Sequence, residues 1–386
     1  MNRALWVTIL LASLCSSQCT AQYVRTQDTQ ALIEHGQQAL AEKQYAAAEQ
    51  DFTRLLQLGV RTAPVYSNLG VAYLRLGKFA KAIQMLQQAQ KLAPNVAGIR
   101  LNLGLAYFRE HEFKLASASF GEAISMNSEN VQARYLKGTC DFMTDDFQNA
   151  VDALTPIMEK EQTDLEYLFM LGISYGMLKR DQESQRTFAQ LVEAGGDTQH
   201  LHLLLGKAYL ALDQLADANR ELSLATQGDS LPYAHYYRAI LLQKLGKIDE
   251  ASEQFSKEVT LFPTNPWAYS ELAAIRMDRN DNAGAIQLLE SGVKNNPESA
   301  ALCATLGRAY SSSGETARAT AILKKAIALD PQSSLYHYQL ARVYWAQGRK
   351  NEAEAENRQA RALVSGDPPS KMEQFSRGAA GPATTH

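Results

Sequence analysis

The chain has 386 residues, with 38 basic and 41 acidic side chains, and 46% of it is apolar. That apolar share excludes a chain too polar to bury a core, and the near balance of charge argues against a dedicated nucleic-acid or anionic-membrane binder. Length alone suggests two or three domains.

The first residues set the compartment. Met1 to Arg3 make a short basic start, Ala4 to Leu14 an apolar run and Cys19-Thr20-Ala21 a small-residue cleavage site, so residues 1–21 read as a secretory signal peptide cut after Ala21. The run falls short of the roughly 20 apolar residues that a membrane-spanning helix needs, and no later stretch supplies them. Neither Cys15, after Ala-Ser-Leu, nor Cys19, after Ser-Ser-Gln, has the small neighbours of a lipid-modified cysteine. The expectation is an exported chain, periplasmic or secreted, with no integral membrane segment after cleavage. It would carry 37 basic against 41 acidic residues, a net charge of −4.

Beyond a short segment, 22–28, the chain is periodic. Gly36, Gly70, Gly104, Gly138, Gly172 and Gly206 recur every 34 residues, and after one residue is lost near Ser230 the same slot holds Ala239, Ala273, Gly307 and Ala341. Twelve residues on, a second small slot reads Ala48, Ala82, Ala116, Ala150, Ser184, Ala218, Ala251, Ala285, Ala319 and Ala353. Small residues in register let two antiparallel helices approach closely. Tyr66, Leu69, Gly70 and Tyr73 fall on one face of a first helix, and Ala82, Leu86 and Ala89 on one face of a second. Between them Leu76-Gly77-Lys78-Phe79 offers a left-handed helix stop at Gly77, and Pro94 closes the unit. Leu245 to Ile248 repeat the turn, and Pro263, Pro297 and Pro331 repeat the stop.

This pattern resembles the tetratricopeptide-repeat family across residues 29 to about 364. The aromatic slot of the first helix holds Tyr73, Tyr107, Tyr175, Tyr209, Tyr310 and Tyr344, and the bulky slot of the second holds Phe52, Leu86, Phe120, Leu154, Phe188, Leu222, Phe255, Leu289 and Leu323. The register sets ten repeats at 29–62, 63–96, 97–130, 131–164, 165–198, 199–231, 232–265, 266–299, 300–333 and 334–364. A tail, 365–386, rich in Gly, Pro, Ser, Thr and Ala, is expected to be disordered. Asp141 and Arg276 depart from the aromatic slot, and Asn357 replaces the bulky residue in the last repeat, as suits a polar end cap. Pro156 falls inside the second helix of repeat four and marks a candidate hinge or helix stop. Cys140 and Cys303 lie five repeats apart, about 50 Å at roughly 10 Å per repeat. Two free, mostly buried thiols are expected, since a disulfide spans no more than about 7 Å.

The resemblance implies an all-α, right-handed solenoid whose first helices line a concave groove that takes extended peptides or partner helices. Family members that grip a terminal carboxylate use lysines, asparagines and an arginine on three successive first helices. Here Asn68 and Asn102 match two slots, but Ile33 and Gly98 stand at the lysine slots, Gln37 at the first asparagine and Asn102 at the arginine. The clamp loses its cations and is rejected, leaving Asn68 and Asn102 as neutral groove residues. A better candidate is the apolar stripe Leu101, Leu105, Phe108, then Tyr135, Phe142, Met143, then Phe169, Ile173, Met177, which reads either as ligand groove or as packing between adjacent first helices. Tyr236, with Tyr233, Tyr237 and Trp267, extends it, while Pro232 and Tyr233 read equally as a helix entry.

Chemistry is scarce. His200-x-His202 has the wrong spacing for two ligands on one helical face, so these and His235 read as surface or packing histidines. Asp145-Asp146 and Asp249-Glu250 suit helix starts rather than acid–base work. No phosphate loop, nucleophile elbow or zinc-ligand spacing is present, and no cofactor, metal or catalytic residue is expected. The favoured function is an extracytoplasmic scaffold that binds a peptide or apolar helix in the groove of repeats three to seven. The alternatives are an adaptor for envelope assembly or polymer export that uses the convex face or the ends, and, least favoured, an enzyme or enzyme-associated subunit.

Overall fold

The computed structural model describes residues 28–363; the signal-peptide segment, residues 22–27 and the tail from 365 lie outside them. Every regular element among the described residues is helical. First helices run 28–41, Ala63–Arg75, Ala97–Arg109, Val131–Met143, Leu165–Met177, Gln199–Ala211, Ala234–Lys244, Pro266–Asp278, Ala300–Ser312 and Ser334–Ala346. Second helices run Tyr45–Gln57, Phe79–Leu92, Phe113–Met126, Phe147–Leu154, Asp181–Gly195, Leu215–Ala225, Ile248–Leu261, Asn282–Asn295, Thr316–Leu329 and Lys350–Leu363. The fold is all-α, a repeat solenoid of ten helix-turn-helix units.

The small slot and the bulky slot explain one another. A methyl group added at Gly104 would come within 2.6 Å of the Phe120 ring, and at Gly172 within 2.5 Å of Phe188. Where the slot is glycine, the first helix thus receives, at that residue, the large side chain that the second helix presents 16 residues later. The receivers' partners Phe52, Leu86, Phe120, Leu154, Leu222, Phe255, Leu289 and Leu323 are all fully buried. Each such side chain contributes about 1.5–3 kcal/mol of burial, and the repetition of that contact is what holds the pairs together.

The turn between paired helices is a third periodic feature. The slot of Gly77 is left-handed in all ten repeats: glycine supplies it at Gly77, Gly246, Gly314 and Gly348, whereas Lys43, His111, Asp145, Lys179, Asp213 and Asn280 adopt φ near +60° themselves. Backbone bonds close the turn each time, as where Lys78 N–H reaches Tyr73 C=O at 2.9 Å and Arg180 N–H reaches Tyr175 C=O at 2.9 Å.

The chain divides into two compact units, Met1–Ile157 and Met158–His386. The first holds repeats one to three and most of repeat four, and the second the end of repeat four and repeats five to ten. The division falls one residue after Pro156, where the second helix of repeat four stops at Leu154 and gives way to a single 3-10 turn, Thr155–Ile157, followed by a helical turn, Met158–Glu161. Proline cannot donate to the preceding turn, and this segment ends its helix instead of kinking it.

Departures from the repeat are compensated locally. Asp141, in the aromatic slot, is buried and accepts bonds from Ser117 Oγ and, at 2.6 Å, from Lys137 Nζ. Arg276, in the same slot of repeat eight, donates to Gly284 C=O at 3.0 Å. Near the lost residue, Tyr233 is left-handed at the start of its helix, and the buried Glu258 carboxylate receives the backbone N–H groups of Tyr233 at 2.8 Å and Tyr236 at 3.3 Å. Asn265 Nδ2 adds a third bond at 3.0 Å. Burial pushes the Glu258 carboxyl above the usual range, against those bonds. Cys140 and Cys303 are free thiols and both are buried.

Candidate functional site

On each first helix the fifth, ninth and twelfth residues of the repeat share one face, and this groove row differs along the chain. In the first unit it reads Ser67, Val71, Leu74, then Leu101, Leu105, Phe108, then Tyr135, Thr139, Phe142. All are half-buried except Phe142. Leu101, Leu105, Phe108 and Met143 rest with one side on the core around Phe113, Ala116, Phe120 and Cys140, and Phe108 meets Phe113 edge-on at 5.6 Å between centroids. Asn68 and Asn102 are half-buried beside this row. The row has no charged residue, so it offers apolar surface with neutral amides at its margin.

Three residues of the expected stripe belong to the core instead. Phe142 is 2% exposed and stands edge-on to Phe147, while in the second unit Phe169 is 4% and Ile173 0% exposed. In repeats five and six the row residues Phe169, Ile173, Leu203, Lys207 and Leu210 are all buried, so the row is closed there. The ammonium of Lys207 lies 4.8 Å from the centroid of the Phe169 ring and 5.5 Å from that of Tyr237, joining three successive repeats. Burial holds the Lys207 amine below its usual value, with Glu166 opposing that shift. Met177 and Tyr236 remain half-buried; Tyr236 meets Tyr237 edge-on at 5.3 Å and tilts over Phe255 at 5.8 Å. Trp267 is half-buried in the first turn of its own helix, whose N-terminus Asn265 caps.

Two features were not anticipated from sequence. The row reopens at the end of the second unit, where Arg308, Leu335, Tyr338, Arg342 and Trp345 are exposed. Continuing the slot arithmetic past repeat seven would have found it. A cleft of about 590 Å³ also lies between the second helix of repeat five and the first of repeat six, floored by Phe188, Val192, Tyr209 and Leu212 and rimmed by Lys179, Asp181, Gln185 and Asp217. Its sequence signal is Gly176, where neighbouring repeats place a bulky residue.

Three of the histidines are joints. His202 Nδ1 pairs with Glu221 at 2.7 Å and Nε2 with Asp197 at 2.9 Å. His235 repeats the pattern with Gln254 at 2.7 Å and Asp229 at 2.9 Å, and His337 with Glu356 at 2.6 Å. Each ties a first helix to its own second helix 19 residues on. Among the described residues no group of three or more His, Cys, Asp or Glu could hold a metal ion, and no helix is long and apolar enough to cross a membrane.

Ten helix pairs with left-handed turns, glycine-to-aromatic docking and a groove row on the first helices define a repeat scaffold. Tetratricopeptide-repeat models match residues 63–96, 101–155, 276–339 and 310–369, and the chain is a tetratricopeptide-repeat protein. No curated protein sequence matches it. Among solved structures it is similar to a tetratricopeptide-repeat protein from Parabacteroides merdae, with 17% identity and a TM-score of 0.52 over 65% of this chain and 99% of that one. It also resembles MamA from Desulfovibrio magneticus RS-1, with 24% identity and a TM-score of 0.39 over 44% and 96% of the two chains. Yeast Tom70 gives 16% identity and a TM-score of 0.41 over 92% and 95%. At these identities the likeness concerns the fold. That fold is generally a non-catalytic platform for protein–protein interaction.

Proposed function

We propose that the protein is an exported, non-catalytic scaffold whose first unit binds a peptide segment or apolar helix of a partner protein along Leu101, Leu105, Phe108, Tyr135 and Met143. One observation carries this reading: the row is apolar, uncharged and half-open over repeats three and four, whereas the same row is closed by packing in repeats five and six. An apolar surface kept open in a fold able to close it favours a ligand, and Asn68 and Asn102 supply amides for its backbone.

The test is recovery of partners from native envelopes by crosslinking. Leu105→Ser with Phe108→Ser should abolish recovery while the helical circular-dichroism signal persists; full recovery would remove the assignment. Export is tested separately by sequencing the mature N-terminus, which should begin at Gln22.

A further inference from the structure

We propose that the first helices of repeats nine and ten form a second binding surface, specific for an acidic, apolar-rich peptide in extended conformation. This rests on the reading of the first-helix row as the ligand face. The helix Ser334–Ala346 buries Tyr336, Leu340, Val343 and Tyr344 on one side. Its other side, at i, i+3, i+7 and i+10, presents Leu335, Tyr338, Arg342 and Trp345. Leu335 is 55%, Tyr338 51% and Trp345 44% exposed. Together they leave on the order of 300 Å² of apolar and aromatic surface open, the size of the largest patch on a typical monomer and often a functional one. The second helix of the same repeat shows the opposite treatment: it is strongly polar and buries only Ala353 and Ala360. The end of the array is thus solvated on one helix and left apolar on the other.

Charge decides what the open side fits. Arg308 and Arg342 occupy the ninth slot of adjacent repeats, 34 residues apart, on first helices that pack side by side. Both are exposed. Elsewhere in the unit Arg180, Arg220, Arg279, Arg318 and Arg349 hold carboxylates of the protein itself. Among the described residues neither Arg308 nor Arg342 has a hydrogen-bonded or ion-paired carboxylate. Burial raises the Glu271 carboxyl above its usual range, and Gln243, by a hydrogen bond, and Arg308, across space without a bond, oppose that shift. Two guanidinium groups with no bonded carboxylate, one repeat apart, the second flanked by Tyr338 and Trp345, are complementary to carboxylates interleaved with apolar residues. Neighbouring first helices stand about 10 Å apart, and a polyproline-type chain returns to the same face every three residues, about 9 Å. Acidic residues three apart in an extended peptide would therefore meet both arginines, with apolar residues beside them against Tyr338 and Trp345.

The probe is a fluorescein-labelled peptide of four Glu-Leu-Pro triplets, with the Gln-Leu-Pro version as control, titrated into the full mature chain by fluorescence polarisation at low salt. The acidic peptide should bind about tenfold or more tightly than the control, weaken with added salt and shift the emission of Trp345. Arg308→Gln with Arg342→Gln should remove that preference, and Tyr338→Ser with Trp345→Ser should weaken both peptides. Equal binding of the two peptides, no binding of either, or a preference untouched by the arginine pair would overturn the proposal. The Leu105→Ser and Phe108→Ser variant keeps the two readings apart. Partner recovery lost there, alongside an acidic peptide indifferent to Arg308 and Arg342, leaves the scaffold standing and removes this surface.

Discussion

The two units run the same repeat but use its first-helix row in different ways. In repeats three and four the row is neutral and half-open; in repeats five and six it is filled by Phe169, Ile173, Leu203 and Leu210 around a buried lysine; in repeats nine and ten it is open again and carries arginines. The contacts that build a repeat lie on the other faces of the helices and do not vary. A slot that the fold leaves unspecified is thus used as surface in one place and as core in another. Which it becomes depends on whether the neighbouring first helix supplies a matching side chain.

Substitution at the fifth slot should break this contrast most strongly. Phe169→Ala empties a core position and should cost about 3–5 kcal/mol, whereas Leu101→Ala, at the same slot in repeat three, should cost only about 1 kcal/mol. Urea unfolding of the two variants measures both. Equal costs would mean that the row in the first unit is core as well.

That contrast also marks how far the sequence was legible. The spacing from small to bulky slot gave helices, pairing and register, because close packing at Gly104 or Gly172 leaves room for none but a small residue. The left-handed turn was visible at Gly77, but not at Lys43 or Lys179, where hydrogen bonding across the turn overrides the preference of the side chain. The stripe of repeats three to five was legible as a face but not as groove or core. Phe169 and Phe108 look alike in sequence, and only the lateral approach of the next helix separates them. Arg308 and Arg342 were legible in principle, since their slot had already been defined by Leu105.

Lys207 sharpens the comparison by removing the charge from the closed row. A buried ammonium without a contacting carboxylate is costly, and its two ring contacts offset only part of that cost. Lys207→Met should therefore be anywhere from neutral to about 2 kcal/mol stabilising. The folded-state pKa lies below the unfolded value of 10.5, so between the two the unfolded chain holds the extra proton and stability rises with pH. The variant should lose that slope. A clear destabilisation in Lys207→Met would show instead that the stacked cation holds the row closed.

The turns should respond alike in both units. Lys43→Gly in the first and Lys179→Gly in the second each relieve a left-handed backbone near φ +60°. A non-glycine residue there costs roughly 1–2 kcal/mol, part of which the extra freedom of glycine in the unfolded chain takes back. Each variant should gain about 0.5–1 kcal/mol in thermal unfolding. A gain in one unit alone would mean that the turns, like the groove row, are specialised.

The smallest effect is expected at His202, which joins the two helices of repeat six. Burial lowers its pKa, but the Glu221 and Asp197 carboxylates outweigh burial and leave it raised above 6.5; Arg220 also donates to Glu221, at 3.0 Å. A histidine with a raised folded pKa binds its proton more tightly in the native state. Its contribution is complete below about pH 6.5 and is lost as the pH climbs through the folded value. Asp197 is exposed, so screening holds the contribution to about 0.5 kcal/mol. His202→Gln keeps a hydrogen bond to Glu221 but removes the charge, and should flatten the stability profile of the second unit across this range. An unchanged profile would mean that the histidine is neutral at every pH at which the repeat is folded, and serves only as a hydrogen-bonded spacer.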